Sequence, residues 1–468
     1  MKKFTLLAVA ALLVVAMSVP AAALENILGG YWRTRWIDQA NFAGEDAKHV
    51  GADLNWIDTR TRLFYTAKFS DKLKFVNQFE MNAVWGGAQT YGQLGADGAN
   101  FLVKRSYIDL KMDPFHFEVG IQDFQLARGY IFDDDAAGVK AIYKLTDGIY
   151  LPLIFIKAYE AGSGKYVGVD GQLKNADDFD VNGWVFYPTI FLNRTTTLKP
   201  HVAWLYSDDY SKAYTQKYSE DYTSQVDYYF SHKLPGAQKL NAWTAGLEFD
   251  TKMDAYTLFA TGIMEFGSVD ISPFYRKYYY NHDSLDFKGY LFDLGGSYNA
   301  GPATLRLKGI YASGNDKDST SKGNIDAFFN PGTEFTGASY PWAEIMGFGK
   351  FDTRGPATAD DPTGSLSDKI TNRIIGNLGM DFRLLPSLKL AADLWYAKAA
   401  EDIKLANGQY GDKLGTELDL VLTYNILENL NLDLVGAYLW ADDVITKATT
   451  INDSNNPYEF GAQLSLAF

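Results

Sequence analysis

The chain has 468 residues and no cysteine, with 43 Lys+Arg against 57 Asp+Glu and a formal charge of −14. The missing cysteines exclude disulfide staples, thiolate metal centres and C-x-x-C-H haem attachment, and the acidic balance argues against a nucleic-acid partner. With 31 Tyr, 30 Phe, 10 Trp and 42 Gly at a mean hydropathy of −0.18, and no long apolar run beyond the first residues, helical membrane spans are excluded too.

The opening stretch, MKKFTLLAVAALLVVAMSVPAAA, places Lys2 and Lys3 before an apolar run from Phe4 to Met17, then Pro20 and a small-residue site at Ala21–Ala23. This is a secretory signal peptide over 1–23, with cleavage expected after Ala23. The mature chain then carries 41 basic and 57 acidic residues, a charge of −16. Residues 24–468 read as one domain.

From there the signal is a two-residue alternation, one apolar face and one polar, as a strand with a different solvent on each side requires. In chain order the predicted strands are 28–37, 54–69, 72–85, 101–112, 115–122, 137–145, 150–161, 179–191 and 197–207. They continue at 239–251, 255–265, 289–299, 303–313, 371–384, 388–398, 413–425, 430–441 and 457–468. The clearest is 414–425, where Leu414, Leu418, Leu420, Leu422 and Tyr424 oppose Glu417, Asp419, Thr423 and Asn425. Short turns are expected near 70, 113, 147, 194, 253, 301, 386 and 427. Long polar loops are expected at 38–53, 86–100, 123–136, 162–178, 208–238, 266–288, 314–370, 399–412 and 442–456. This predicts an all-β fold, a transmembrane antiparallel up-and-down barrel of about eighteen strands with short periplasmic turns and long extracellular loops. No fixed repeat of propeller type is present.

The last strand, NPYEFGAQLSLAF, puts Tyr458, Phe460, Ala462, Leu464, Leu466 and Phe468 on one face. In a closed barrel it must pair with the first strand. The ending resembles the carboxy-terminal signal of bacterial outer-membrane proteins. That resemblance implies recognition of Phe468 by the barrel assembly machinery, and location in the outer membrane among lipid and lipopolysaccharide.

Charged residues should face the lumen, since Arg or Lys on the lipid face at mid-membrane costs about 2–4 kcal/mol. The alternation places Arg33, Arg35, Asp58, Arg60, Arg62, Arg105, Asp109 and Lys111 on that wall. Glu118, Arg306, Lys308, Arg373 and Arg383 join them. A basic wall attracts anions. Equally, Asp58, Glu80, Asp109, Glu118, Glu248, Asp381, Asp393, Glu417 and Asp419 point inward and could neutralise it. In DFQLARGYIFDDDAAG, residues Gln125, Arg128, Asp133, Asp134 and Asp135 are candidates for an inward-folded constriction, with an exposed acidic loop as the other reading of the Asp run.

The stretches DTRTRLFYTAKFSDKLKFVNQFE, LVKRSYIDLK and FEVGIQDFQLARGYIFDD resemble the opening third of Gram-negative porins and alginate-export-type channels. The resemblance implies a monomeric eighteen-stranded exporter or a homotrimeric porin, passing sugars, anions or an acidic polysaccharide. In that family an arginine follows the glycine of the fifth strand. Here Ile121 and Gln122 follow Gly120.

Enzyme and cofactor motifs are absent. GSGKY at 162–166 has Tyr159 where a phosphate loop needs its first glycine. The histidines (His49, His116, His201, His232, His282) lack metal-ligand spacing, no G-x-S-x-G occurs, and 315–324 lacks the glycine and glutamate of a calcium loop. The expectation is a channel without chemistry or cofactor, passing small polar or anionic solutes. The competing classes are a barrel sleeve for a periplasmic or surface partner, such as an electron-conduit cytochrome, and a secreted glycan-binding β-protein.

Overall fold

A computed structural model of the chain describes residues 24–42, 54–87, 92–94, 101–162, 164–167, 173–210, 237–273, 276–277, 281–329, 342–353, 355–359, 370–448 and 456–468. The signal segment 1–23 and parts of the long loops, among them 211–236 and 330–341, lie outside the described residues.

Among the described residues eighteen strands succeed one another around the barrel wall, with short strands at Lys165–Val167, Leu173–Asn175, Ser284–Phe287 and Asn324–Ile325 in the loop regions between them. The first nine are β1 (Glu25–Ala40), β2 (Leu54–Ser70), β3 (Leu73–Val84), β4 (Leu102–Met112), β5 (Phe115–Leu126), β6 (Phe132–Thr146), β7 (Ile149–Tyr159), β8 (Val181–Phe186 and Thr189–Phe191) and β9 (Thr196–Ser207). The rest are β10 (Ala237–Met253), β11 (Tyr256–Ile271), β12 (Tyr290–Ala300), β13 (Ala303–Ala312), β14 (Arg373–Leu385), β15 (Leu388–Lys404), β16 (Tyr410–Leu427), β17 (Leu430–Ala441) and β18 (Tyr458–Ala467). β8 is broken at Tyr187–Pro188, where proline cannot donate to the ladder. Each strand pairs antiparallel with the next, and β18 pairs with β1 from Tyr31↔Ala467 to Ala40↔Tyr458. The sheet is a closed barrel with no edge.

At the seam, the Gly30 N–H donates to the Phe468 carbonyl at 2.7 Å and the Phe468 N–H to the Gly30 carbonyl at 3.1 Å. The Phe468 ring lies over Gly30. A Cβ there would sit 2.4 Å from the ring and 2.8 Å from the Arg62 carbonyl oxygen.

The register fixes one inner row per strand. Arg33 faces Arg60 on β2 and Ser465 on β18, and Arg35 faces Asp58 and Gln463. The same parity joins Asp293 to Thr261 and Asp393 to Asp419 on the far strands. The outer rows carry Met264, Leu294, Leu307 and Leu378, each at least 60% exposed. A continuous apolar band of this kind requires hydrocarbon around it. Aromatic rows bound it on both rims. Trp204 stacks on Trp243 at 5.2 Å, and Trp243 on Phe266 at 6.1 Å, toward the long loops. Tyr256 stacks on Tyr298 at 4.7 Å, and Phe115 meets Tyr143 at 5.2 Å, at the short-turn rim.

All eight short turns fall where the alternation places them. The long-loop ends differ. β6 begins at Phe132 instead of 137, β11 continues to Ile271, and β15 and β16 extend to Lys404 and back to Tyr410, which shrinks the expected 399–412 loop to 405–409. Above the band both faces meet polar surroundings, so hydrophobic alternation fades while backbone pairing persists.

Replacing Gly30 with valine should force the Phe468 ring and the β1–β2 backbone apart. A loss of about 1–3 kcal/mol is expected, read as a lower temperature for conversion of the compact band to the unfolded one in a heat-modifiability gel. An unchanged midpoint would show that the seam does not depend on this contact.

Candidate functional site

The inner rows of β1–β3 form a basic wall with carboxylates set behind it. Arg35 Nε lies 2.8 and 2.9 Å from the two Asp58 oxygens. Arg62 Nε donates to Glu80 at 2.6 Å, and Arg60 Nε donates to Asn82 at 2.7 Å and lies 3.8 Å from Glu80. Arg33, 8% exposed, makes no ion pair among the described residues, and its Nε has no hydrogen-bond partner.

The wall continues in pairs. Lys74 approaches Asp109 at 3.8 Å, His116 Nε2 meets Asp109 at 2.8 Å, and Lys140 holds Glu118 at 2.7 Å. Across the ring Arg306 binds Asp393 at 2.8 Å and Asp381 at 3.3 Å, and Lys308 lies 3.5 Å from Asp293. The bases of these inner rows thus lie beside carboxylates of the same wall.

The pairs are asymmetric toward water. The side-chain exposures of base and acid are 31% and 6% for Arg62–Glu80, 32% and 12% for Arg105–Asp135, and 34% and 13% for Arg306–Asp393. Arg35–Asp58 runs weakly the other way, and Asp352, Asp123 and Asp250 are more exposed than Arg60, Arg105 and Arg128, their respective partners.

Among the described residues, two segments of the chain reach across the lumen, and 327–329 lies against its wall, where Glu265 accepts the Phe329 N–H at 2.9 Å. The first is the tip of the β5–β6 hairpin. β4 stops pairing with β5 at Ser106↔Ile121, next to Gly120 at φ +136°. The hairpin continues alone and reaches the strands across the ring. Arg128 donates to Thr261 Oγ1 at 2.7 Å, to Asp250 at 2.8 Å and to the Phe249 carbonyl at 3.2 Å. Tyr130 donates to Asp293 at 2.9 Å. The Ala127 N–H donates to the Tyr187 hydroxyl at 3.2 Å, and Tyr187 in turn donates to Glu248.

Arg128 thus lies where the sequence places it, but the Asp run does not. Asp133, Asp134 and Asp135 belong to β6, opposite Gln125, Phe124 and Asp123. Gln125 and Asp133 bond each other at 3.2 Å on the exposed side of the hairpin. Asp135 anchors the hairpin's root to Arg105 at 2.7 Å and Lys104 at 3.0 Å. β5 runs four residues further and β6 starts five residues earlier than the alternation shows, so the acidic run becomes ladder and Arg128 and Tyr130 form the tip.

The second insert is 342–353, from the 314–370 loop. Glu417 accepts the Ile345 and Met346 N–H groups at 2.6 and 2.9 Å, and Asp419 accepts that of Glu344 at 3.1 Å. Lys350 pairs with Asp433 at 2.8 Å, and Thr353 donates to Glu459 at 3.0 Å. The Phe351 ring is fully buried over Gly461, with Ile37 and Val435 beside it. Trp342 meets Trp395 edge-on at 5.7 Å.

Other predicted lining residues sit at the ends of the path. Lys111 and Arg383 are exposed next to short turns, and Arg373 lies under the long loops, donating to the Asn372 carbonyl at 2.9 Å. They are inner-row residues at a rim, away from the narrowed zone. Sequence reasoning missed Lys104, which a register shift between Gln78 and Phe79 on β3 brings to the Arg105 side. It also missed Glu344, Lys350 and Phe351, which no periodicity marks. The signal for Phe351 was Gly461, a glycine inside a strand where another part of the chain approaches closely.

No family model matches the chain, and no curated protein does. Solved structures match its fold. The outer membrane protein OpdK from Pseudomonas aeruginosa superposes with a TM-score of 0.53 at 10% identity, covering 95% of this chain and 98% of that one. OccK8 (OprE) of the same organism gives 0.53 at 12%, with the same coverage. OccAB4 of Acinetobacter baumannii gives 0.51 at 13%, covering 96% and 100%. At these identities the likeness is one of fold.

Burial pushes the Glu344 carboxyl up from 4.5 to about 7, with Asp419 and Asp393 adding to the rise and the N–H and ammonium of Lys350 opposing it. Glu417 and Glu459 complete the charged groups around it, with Asp433 held by Lys350. A raised carboxyl favours the docked loop at low pH. That advantage is full below about 4.5 and is lost as pH climbs through about 7. Conductance in planar bilayers should therefore rise from pH 4.5 to 7 and level off above. In Glu344→Gln it should stay low and flat, and a wild-type pH profile in that variant would remove Glu344 from the account.

Proposed function

We propose that this protein is an outer-membrane porin, a channel for passive diffusion of small polar solutes with a preference for anions. One observation carries the reading. In most ion pairs of the lumen wall the cationic partner is the more exposed one and the carboxylate lies behind it, so the field that a solute meets is basic although most of these bases have an acidic partner. The apolar band with its aromatic rows supports a membrane setting, and the resemblance in fold to porins supports the channel class.

The two inserts favour small solutes over a polysaccharide strand or a partner protein threaded through the barrel. Arg128 and Tyr130 hold one segment across the path, and the carboxylates of β16–β18 hold the other. A sleeve would need that space empty. Diffusion through a charged, narrowed lumen needs no catalyst and no cofactor, and the wall residues have the role of attracting and guiding the solute.

The experiment is the reversal potential of the purified protein in planar bilayers under a potassium chloride gradient. At pH 4.5, where the 342–353 segment is docked, the wild type should be anion-preferring. Arg60→Glu with Arg62→Glu should bring the chloride-to-potassium permeability ratio down several-fold, to near or below unity, because both guanidinium groups face water. An unchanged ratio in the folded double variant would make these arginines structural and overturn the anion reading.

A further inference from the structure

The lumen wall on the side of β7–β11 has a recess unrelated to the basic ladder. Small side chains occupy neighbouring inner positions there: Ala158 on β7, Gly183 on β8, Ala203 on β9 and Ala242 on β10. A Cβ added at Gly183 would meet nothing closer than 3.7 Å, so no close approach forces glycine at this point, and the space is real. On the lumen side the tip end of the hairpin covers the recess with Leu126, Ile131 and Phe132, and Phe287, Phe329, Trp204 and Trp243 complete the aromatic part of its lining.

Almost everything facing this recess is apolar, with two exceptions. Thr244 and Glu265 lie opposite each other on β10 and β11, and both line it. They are 4% and 7% exposed, and Thr244 Oγ1 and Glu265 Oε1 have no hydrogen-bond partner. The other Glu265 oxygen accepts the Phe329 N–H at 2.9 Å, which fixes the carboxyl group in place. A buried polar atom without a partner is costly, and a native structure normally satisfies it.

We propose that this recess binds a small uncharged aromatic molecule bearing a hydroxyl group. The ring fills the space that the small residues leave against Phe132, Phe287 and Phe329. The hydroxyl both donates and accepts, so it complements the Thr244 hydroxyl and the free Glu265 oxygen together. A carboxylated ring is excluded, because it would bring a second acidic group against Glu265 into an apolar site. An unsubstituted ring fits the space and leaves both polar atoms unpaired. The site is thus of opposite preference to the basic wall, and it stands or falls independently of anion passage.

The test uses the full chain in detergent micelles with 4-fluorophenol, fluorobenzene and 4-fluorobenzoate as probes, read by fluorine NMR line broadening. Fluorophenol should bind saturably, fluorobenzene at least about tenfold more weakly, and fluorobenzoate should not compete. Thr244→Val keeps the shape and removes the hydroxyl. It should weaken fluorophenol several-fold and leave fluorobenzene unchanged. Ala203→Leu fills the recess and should abolish binding while leaving the reversal potential as in the wild type. If that variant fails to give the compact heat-modifiable band, Gly183→Ala serves in its place with a partial loss expected. Equal affinity for fluorophenol and fluorobenzene, no saturable broadening at all, or fluorophenol binding unchanged in the folded filled variant would each overturn the proposal.

Discussion

Everything in this molecule depends on a ring of backbone hydrogen bonds that has no end. A strand in hydrocarbon cannot leave its N–H and C=O groups unpaired, so β1 and β18 must meet. Once they do, side-chain direction is settled for the whole circumference. The period of two means that a slip of one residue would carry Arg33, Arg35, Arg60 and Arg62 into the outer rows together. At about 2–4 kcal/mol for each basic residue at mid-membrane, that register is not competitive. The charged lining is thus a consequence of closure, and the closing contact is small: a glycine that lets the Phe468 ring lie flat on the first strand.

A ring of this size is wider than its own wall side chains can fill. The chain fills part of it with two of its own segments, and both use the same device. A polar wall residue takes a backbone or side-chain group of the insert, and a glycine in the inner row makes room for an aromatic ring. Gly138 lies under Phe124 at the hairpin root, as Gly461 lies under Phe351. The chemistry differs between the two. The hairpin brings an arginine to carbonyl, hydroxyl and carboxylate acceptors on β10 and β11. The 342–353 segment brings N–H donors to carboxylates of β16. A carboxylate that accepts two backbone N–H groups is well satisfied without any cation.

Alternation made the barrel legible, and its limits are physical. Where one face meets hydrocarbon and the other water, as in 416–425, the strand and its direction could be read residue by residue; Leu414, expected outward with Leu418 and Leu420, is instead fully buried in the interior cluster, at the register shift beside Gly415. Above the band that contrast ends, which is why the first turns of β6 and β16 read as loop. Inward direction was legible for Glu417 and Asp419, but their task was not. An acid facing a solute and an acid capping a loop's backbone look alike in sequence, and the capping partner lies some 70 residues away. Lys104 shows another limit, since a register shift re-aims a side chain without leaving any trace in composition.

The position of the 342–353 segment and the sign of the lumen's field are therefore one variable. With the segment docked, Glu417, Asp419, Asp433 and Glu459 are all buried, and their charge is spent on N–H donors, a hydroxyl and the Lys350 ammonium. The arginines of β1 and β2 then dominate what water sees. Undocking would return four carboxylates to the lumen and carry Lys350 away with Glu344 and Asp352 of the same segment, leaving the wall itself more acidic. The basic character of the path is a joint property of wall and loop, and the lining residues alone do not specify it.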